Sequence, residues 1–154
     1  MVNILIIGAS SGIGSALAKQ LITSGNQVYG TFNKTSQPAS GFAAYQSLNV
    51  LDENLDLSFV PDTLDGLVYC PGAVNLKPFA RLKPEDFILD YQLQVVGAVK
   101  VIQACLANLK NSANPSIVLF STVAAQIGLN FHSLVASSKG ACLSLLIAIG
   151  LLAI

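Results

Sequence analysis

The chain has 154 residues, enough for one domain with a real core. Its formal net charge is zero, from eight basic and eight acidic residues, which argues against nucleic acid or an anionic membrane surface as the main partner. Charged residues make up 10% and hydrophobic residues 53%, so some apolar surface is expected to be buried against a partner.

The first element is a run of four apolar residues, Ile4 to Ile7, three of them β-branched. A short run of this kind, bounded by glycine, predicts a strand buried on both faces. Gly8, Gly12 and Gly14 follow, and then Ile13, Ala16, Leu17, Leu21 and Ile22 recur at helical spacing. A strand that runs through a glycine-rich turn into a helix suits phosphate binding. The first amides of the helix are unsatisfied, and its dipole adds partial positive charge. The glycines let a pyrophosphate approach the backbone, and Ser10 and Ser11 add hydroxyl donors. The position of the turn, after an apolar run and before a helical pattern, supports a dinucleotide site over an ordinary glycine turn.

Gly25 is placed to cap the first helix, and Gln27 to Thr31 reads as a second strand. Asn33 to Gly41, with Pro38, is a loop too short for a crossover helix. Phe42 to Val50 is expected as a third strand, Asp52 to Val60 as a short helix, and Gly66 to Cys70 as a fourth strand. Pro84, Glu85 and Asp86 open a long helix with a first turn that suits its dipole. Its predicted apolar stripe is Ile88, Tyr91, Val95, Val99, Ile102, Leu106 and Leu109. Ile117 to Phe120 is a fifth strand, and a last helix is expected from Ser133 to the end. Alternating strands and helices predict a parallel, doubly wound α/β sheet of Rossmann type in the order 3-2-1-4-5, as one domain over residues 1–154.

Cys70, Cys105 and Cys142 are odd in number and far apart, which reads as free thiols in a reducing compartment, the cytoplasm. Metal-ligand spacing does not occur, and His132 is the only histidine. A short apolar N-terminal run without basic residues before it does not read as a signal peptide. Ala141 to Ile154 carries no charge, but fourteen residues fall short of the roughly 20 that span a bilayer, so a buried helix rather than a membrane segment is expected.

Taken together these segments resemble the short-chain dehydrogenase/reductase family. Gly8-Ala9-Ser10-Ser11-Gly12-Ile13-Gly14 looks like its cofactor motif, with Ile13 inside it. Leu67-Val68-Tyr69-Cys70-Pro71-Gly72 lines up with its fourth-strand motif, Ser121-Thr122 with its serine after the fifth strand, and Ser137-Ser138-Lys139 with the end of its Tyr-x-x-x-Lys motif. The resemblance covers essentially the whole chain. It implies a nicotinamide cofactor and hydride transfer between that cofactor and a carbonyl or alcohol. It implies cofactor contacts at Gly8, Ser10, Ser11, Gly12, Ile13, Gly14, Gly72 and Lys139, and oligomers formed through the long helix and the helix after the lysine.

The departures are equally specific. Val135 stands where the family has its catalytic tyrosine, four residues before Lys139. Gln94 replaces an asparagine, Thr122 replaces the catalytic serine but keeps the hydroxyl, and Asn49 stands where an acid near the adenine is usual. Full members continue for two further strands with their helices, so the fold is expected to stop after the helix that follows strand five, as in a truncated or frame-shifted product. A non-catalytic cofactor-binding homologue and an inactive fragment are the alternatives to an enzyme.

In the family a lysine one helical turn from the tyrosine lowers the phenol pKa from near 10. Lys139 can still hold the nicotinamide ribose, whereas Val135 exchanges no proton. His132, with an unperturbed pKa near 6.5, is the candidate substitute, although it lies about 10 Å from Lys139 along a helix axis. Thr122, Lys139 and His132 are therefore the candidate catalytic residues. At the end of the second strand Asn33 and Lys34 stand without an acid, which favours NADP over NAD, with NAD as the other possibility. The stretches between Pro71 and Arg81 and between Val123 and Leu134 are expected to line a pocket for a small, largely apolar carbonyl compound.

Overall fold

A computed structural model describes residues 1–36 and 40–151. Five strands, β1 (Asn3–Ile7), β2 (Gln27–Phe32), β3 (Ala44–Ser47), β4 (Gly66–Tyr69) and β5 (Ser116–Leu119), form one sheet in the order β3-β2-β1-β4-β5. Every pairing is parallel. This is the Rossmann-like order expected from the sequence. Pro38 of the expected loop and residues 152–154 of the expected last helix lie outside the described residues.

The sheet is covered on both faces, and the alternation along β1 and β4 shows how. Leu5, Ile7, Leu67 and Tyr69 point to one side, where they meet Ala98, Val101, Ile102 and Leu109 of the long helical region. Ile6 and Val68 point to the other side, against Ala18, Leu17 and Leu21 of α1 (Gly12–Thr23). A central strand buried on both faces must be apolar at every position, which is why Ile4 to Ile7 forms an unbroken run. At the end of α1, Gly25 has φ 79 and its N–H donates to Ile22 O, as expected of a glycine just past a helix.

Three expectations need correction. Residues 52–60 form turns rather than a helix. Asn49 Oδ1 accepts from Leu51 N, Asn49 Nδ2 donates to Asp52 Oδ1, and Asp56 Oδ1 accepts from Ser58 N and Ser58 Oγ. Such local side-chain bonds compete with a helical ladder. The third strand is Ala44–Ser47, shorter than 42–50.

The long helix is also not one regular helix. It runs as α2 (Pro84–Tyr91), a π-helical turn (Gln92–Val96), α3 (Gly97–Ala104) and α4 (Leu106–Lys110). The wider turn rotates the upstream face away from the 3.6-residue register. Ile88 (56% exposed) and Tyr91 (45%) therefore face outward, while Asp90 (6%) and Gln94 (0%) are buried. The same turn leaves two carbonyls accepting from outside the helix: Leu93 O from the Tyr69 hydroxyl at 2.6 Å, and Gln94 O from Cys142 Sγ at 3.2 Å.

The last helix, α5 (Ser133–Leu151), is long and apolar enough over Ser133–Gly150 to cross a membrane by length and composition, with mean hydropathy 1.6. Yet Leu134, Val135, Ser138 and Cys142 are buried along one stripe, and α5 packs on α2, the π turn and β5. Its first half is thus a core helix of this sheet. Farther along, Leu143 and Ile147 are exposed, so the buried helix expected over Ala141 to Ile154 is not what its described part forms. Among the described residues β5 pairs only with β4.

The crossing of helix and sheet at Gly97 is tight. An added Cβ would overlap the Tyr69 hydroxyl and lie 3.1 Å from Val50 Cγ2. Overpacking of this kind costs about 1–3 kcal/mol. Gly97→Ala is expected to lower the unfolding free energy by that amount in a urea titration, and an unchanged midpoint would show that the crossing is looser than described.

Candidate functional site

A single cavity of about 730 Å³ runs along the C-terminal ends of β1, β2, β4 and β5. In open parallel sheets this end, where the strand order reverses, is where ligands bind. Here β1 lies at that reversal, between β2 and β4.

The floor is the turn from β1 into α1. Gly8 has φ 80, and its N–H donates to Thr31 Oγ1 at 3.1 Å, while Ala9 N donates to Thr31 O at 2.7 Å. Two bonds to the end of β2 thus fix the chain as it leaves the strand. Gly14 packs directly on this turn. An added Cβ there would overlap Gly8 O and lie 3.0 Å from the Gly8 carbonyl carbon. Helix and turn can touch only because no side chain intervenes. Ser11 is the N-cap, but its side chain makes no cap hydrogen bond, and the first turn of α1 carries no acid. First-turn amides, a free hydroxyl and the absence of negative charge suit an anion such as a pyrophosphate.

The other end of the cavity is built by β4, β5 and α5. Thr122 Oγ1 accepts from Ala124 N at 3.2 Å, which leaves the hydroxyl proton for a ligand. Ser121 Oγ is already committed to Lys139 O at 2.9 Å, so it ties β5 to α5. His132 Nδ1 lies 2.7 Å from Asn130 O. A carbonyl only accepts, so Nδ1 carries the proton and Nε2 is left for other partners. The loop that presents this histidine includes Phe131 at φ 67, an uncommon conformation for a bulky residue. Val135 is buried in the wall and offers no polar atom.

The cavity brings together Gly8, Ser10, Ser11, Gly12, Ile13, Gly14, Asn33, Gly72, Thr122, His132 and Lys139. Two sequence candidates lie outside its lining. Lys34 is exposed beyond the end of β2, and Asn49 is engaged with Leu51 and Asp52. Of the stretches expected to line a substrate pocket, Pro71 to Val74 do so, and residues 75–81 and 123–131 do not.

Sequence reading did not single out the buried Asp90, nor the role of Gln94. Asp90 Oδ2 accepts from Gln94 Nε2 at 2.7 Å. The signal was present as an acid and an amide four residues apart, but an uninterrupted helical count put Asp90 outside. Cys70 is a further wall residue. Burial pushes its thiol up to about 11, against the opposite pull of the Lys139 ammonium.

A sequence profile described as short chain dehydrogenase matches residues 2–151. Among curated proteins, the chain is 28% identical over 154 residues to the hydroxynaphthalene reductase-like protein Arp2 of Metarhizium majus, covering 89% of this chain and 57% of that protein. It is 31% identical over 153 residues to human retinol dehydrogenase 8, covering 89% of this chain and 49% of that one. The chain therefore spans about half the length of the curated relatives it matches. Among solved structures, the ligand-free aldohexose dehydrogenase of Thermoplasma acidophilum superposes with a TM-score of 0.85 at 20% identity, covering 97% of this chain and 60% of that one. A short-chain dehydrogenase/reductase from Vibrio parahaemolyticus gives 0.82 at 21% identity, covering 95% and 75%.

At pH 7.5 the raised Cys70 pKa leaves very little thiolate, so iodoacetamide is expected to alkylate Cys70 about a hundredfold more slowly than free cysteine. Lys139→Met removes the ammonium whose pull lowers this pKa and should slow it further. Alkylation of Cys70 at the free-cysteine rate, read by peptide mass mapping, would contradict the buried setting.

Proposed function

The chain belongs to the short-chain dehydrogenase family, and on that premise we propose that it is an oxidoreductase that binds NADP and reduces a small, largely apolar carbonyl compound, or oxidises the corresponding alcohol. The observation that carries this reading is the continuity of one cavity from the Gly8–Gly14 turn to Lys139. It fits a dinucleotide with its pyrophosphate at the helix start and its nicotinamide near Lys139 and Thr122. Bound there, the reduced nicotinamide supplies a hydride to the carbonyl carbon.

The chain's own residues then do three things. The α1 amides and the Ser10 and Ser11 hydroxyls hold the pyrophosphate, with Gly12 and Ile13 keeping the backbone open to it. Lys139 and the Gly72 backbone hold the nicotinamide ribose. Thr122 donates a hydrogen bond to the substrate oxygen, which is where negative charge develops. The proton that oxygen finally takes comes from His132: its Nδ1–H is held by Asn130 O, and Nε2 first takes up a second proton from solvent and then passes it to the substrate oxygen. Asn33 at the end of β2 faces the adenosine side, and the nearby Lys34 and the lack of an acid favour a 2′-phosphate. Three free thiols support a reducing compartment, the cytoplasm. The exposed Ile88, Leu89, Tyr91 and Val96, together with Leu143 and Ile147 on α5, support a homo-oligomer formed through these helices.

Val135 favours a second reading, a homologue that binds the cofactor without turning over, because its own side chain carries no exchangeable proton. NADPH consumption with a panel of aldehydes and ketones separates the two, since only the enzyme oxidises the cofactor.

Three results are expected. Fluorescence titration should give tighter binding of NADPH than of NADH, and equal affinities would remove the NADP assignment. His132→Ala should lose about 10² to 10⁴ in kcat with its NADPH affinity intact, whereas turnover at the parent rate would end the histidine proposal. Light scattering should show a dimer or larger, and a clean monomer would contradict the oligomer.

A further inference from the structure

A buried carboxylate lies beside the cavity with no part in the reaction proposed above. Asp90 is one helical turn before Gln94, and both are buried where the irregular turn packs on α5. The Gln94 group is used almost completely. Its Nε2 donates to Asp90 Oδ2 at 2.7 Å and reaches Ala73 O at 3.4 Å. Its main-chain oxygen accepts from Cys142 Sγ at 3.2 Å. Only Oε1 has no partner, although it is buried.

The position of Oε1 gives it a candidate donor. A Cβ built on Gly72 would lie 3.2 Å from Gln94 Oε1 and 3.3 Å from Lys139 Nζ. Acceptor and ammonium therefore face the same space above Gly72. A carboxylate accepts hydrogen bonds and gives none, so Asp90 decides which end of the amide faces it. The nitrogen turns to Asp90, and the oxygen turns to the space above Gly72 that Lys139 Nζ also borders. With a neutral residue at position 90 the amide would be free to turn over and present N–H groups to the ammonium.

We infer that Asp90 is a positioning residue: acting through Gln94, it keeps a free acceptor on the space above Gly72, where the Lys139 ammonium reaches it by a small side-chain movement. The consequence for the cofactor rests on the reading of Lys139 given above, but the anchoring itself is a property of the chain alone. An acceptor that engages the Lys139 amine leaves it less available to an acylating reagent.

The test uses the protein without cofactor. A limiting acetyl ester is added, and acetylation of each lysine is followed by peptide mass mapping. Lys100, held by the Val50 and Asp52 carbonyls, serves as the internal control. Gln94→Met keeps the side-chain length and removes the acceptor, and it is expected to acetylate Lys139 about tenfold faster with Lys100 unchanged. Asp90→Asn keeps the volume but offers an N–H that can capture Oε1, and it is expected to act in the same direction. The double variant should be no faster than Gln94→Met. An unchanged Lys139 rate in either single variant, or additive effects in the double, would overturn the inference and leave Asp90 as packing. If Asp90→Asn loosens the fold, so that Lys100 speeds up as well, Gln94→Met decides alone, and an unchanged Lys139 rate there overturns the inference. Failure of the parent to bind NADPH would sink the cofactor reading while leaving these rates fully interpretable.

Discussion

The contact between Gly14 and the Gly8 carbonyl sets the geometry on which the rest of the site depends. It is a contact between backbones, possible because position 14 carries no side chain. It draws the start of α1 onto the end of β1, so the unsatisfied amides of the helix open into the cavity rather than into solvent. The two bonds that Gly8 N and Ala9 N donate to Thr31 then hold the turn to β2. With β1 central in the sheet, this places the glycine turn at the middle of the fold, flanked by β2 on one side and β4 on the other.

The other half of the site depends on an irregularity. The π turn at Gln92–Val96 spreads the Leu93 and Gln94 carbonyls so that Tyr69 of β4 and Cys142 of α5 bond to them. Burial pushes the Tyr69 phenol well above its ordinary range, which keeps it a neutral donor to Leu93 O. Sheet, long helix and last helix are thereby joined at one level. The same rotation buries Asp90 and Gln94 and turns Ile88 and Tyr91 outward. A single extra residue in one helical turn thus determines both what is buried beside the cavity and which side chains the outer surface exposes.

Much of the fold was legible because it follows from short-range signals. Unbroken apolar runs gave the central strands, glycines marked the first turn and the first cap, and the alternation of elements gave the strand order. The glycine turn and Lys139 were legible for the same reason, as local patterns. What was not legible depends on long-range geometry. The segment after Asp52 has the composition of a short helix, yet Asn49 and Asp56 bond their own neighbours instead. The stripe from Ile88 was counted on a regular helix, and no local residue announces a π turn, since its partners Tyr69 and Cys142 are 24 and 48 residues from the carbonyls they reach. Asn49 and Lys34 were assigned by position along the chain, but the cavity wall is set by where β2 and β3 end in space.

The central claim is that one cavity holds a dinucleotide from the Gly8 turn to Lys139, with His132 in place of the missing tyrosine. A crystal soaked with NADPH tests it most directly. The account predicts density for the pyrophosphate at the first turn of α1, the nicotinamide ribose at Lys139, and His132 as the ionisable side chain nearest the reactive carbon of the nicotinamide. Density elsewhere on the protein, or a nicotinamide ring facing only Val135 and other apolar groups, would contradict it.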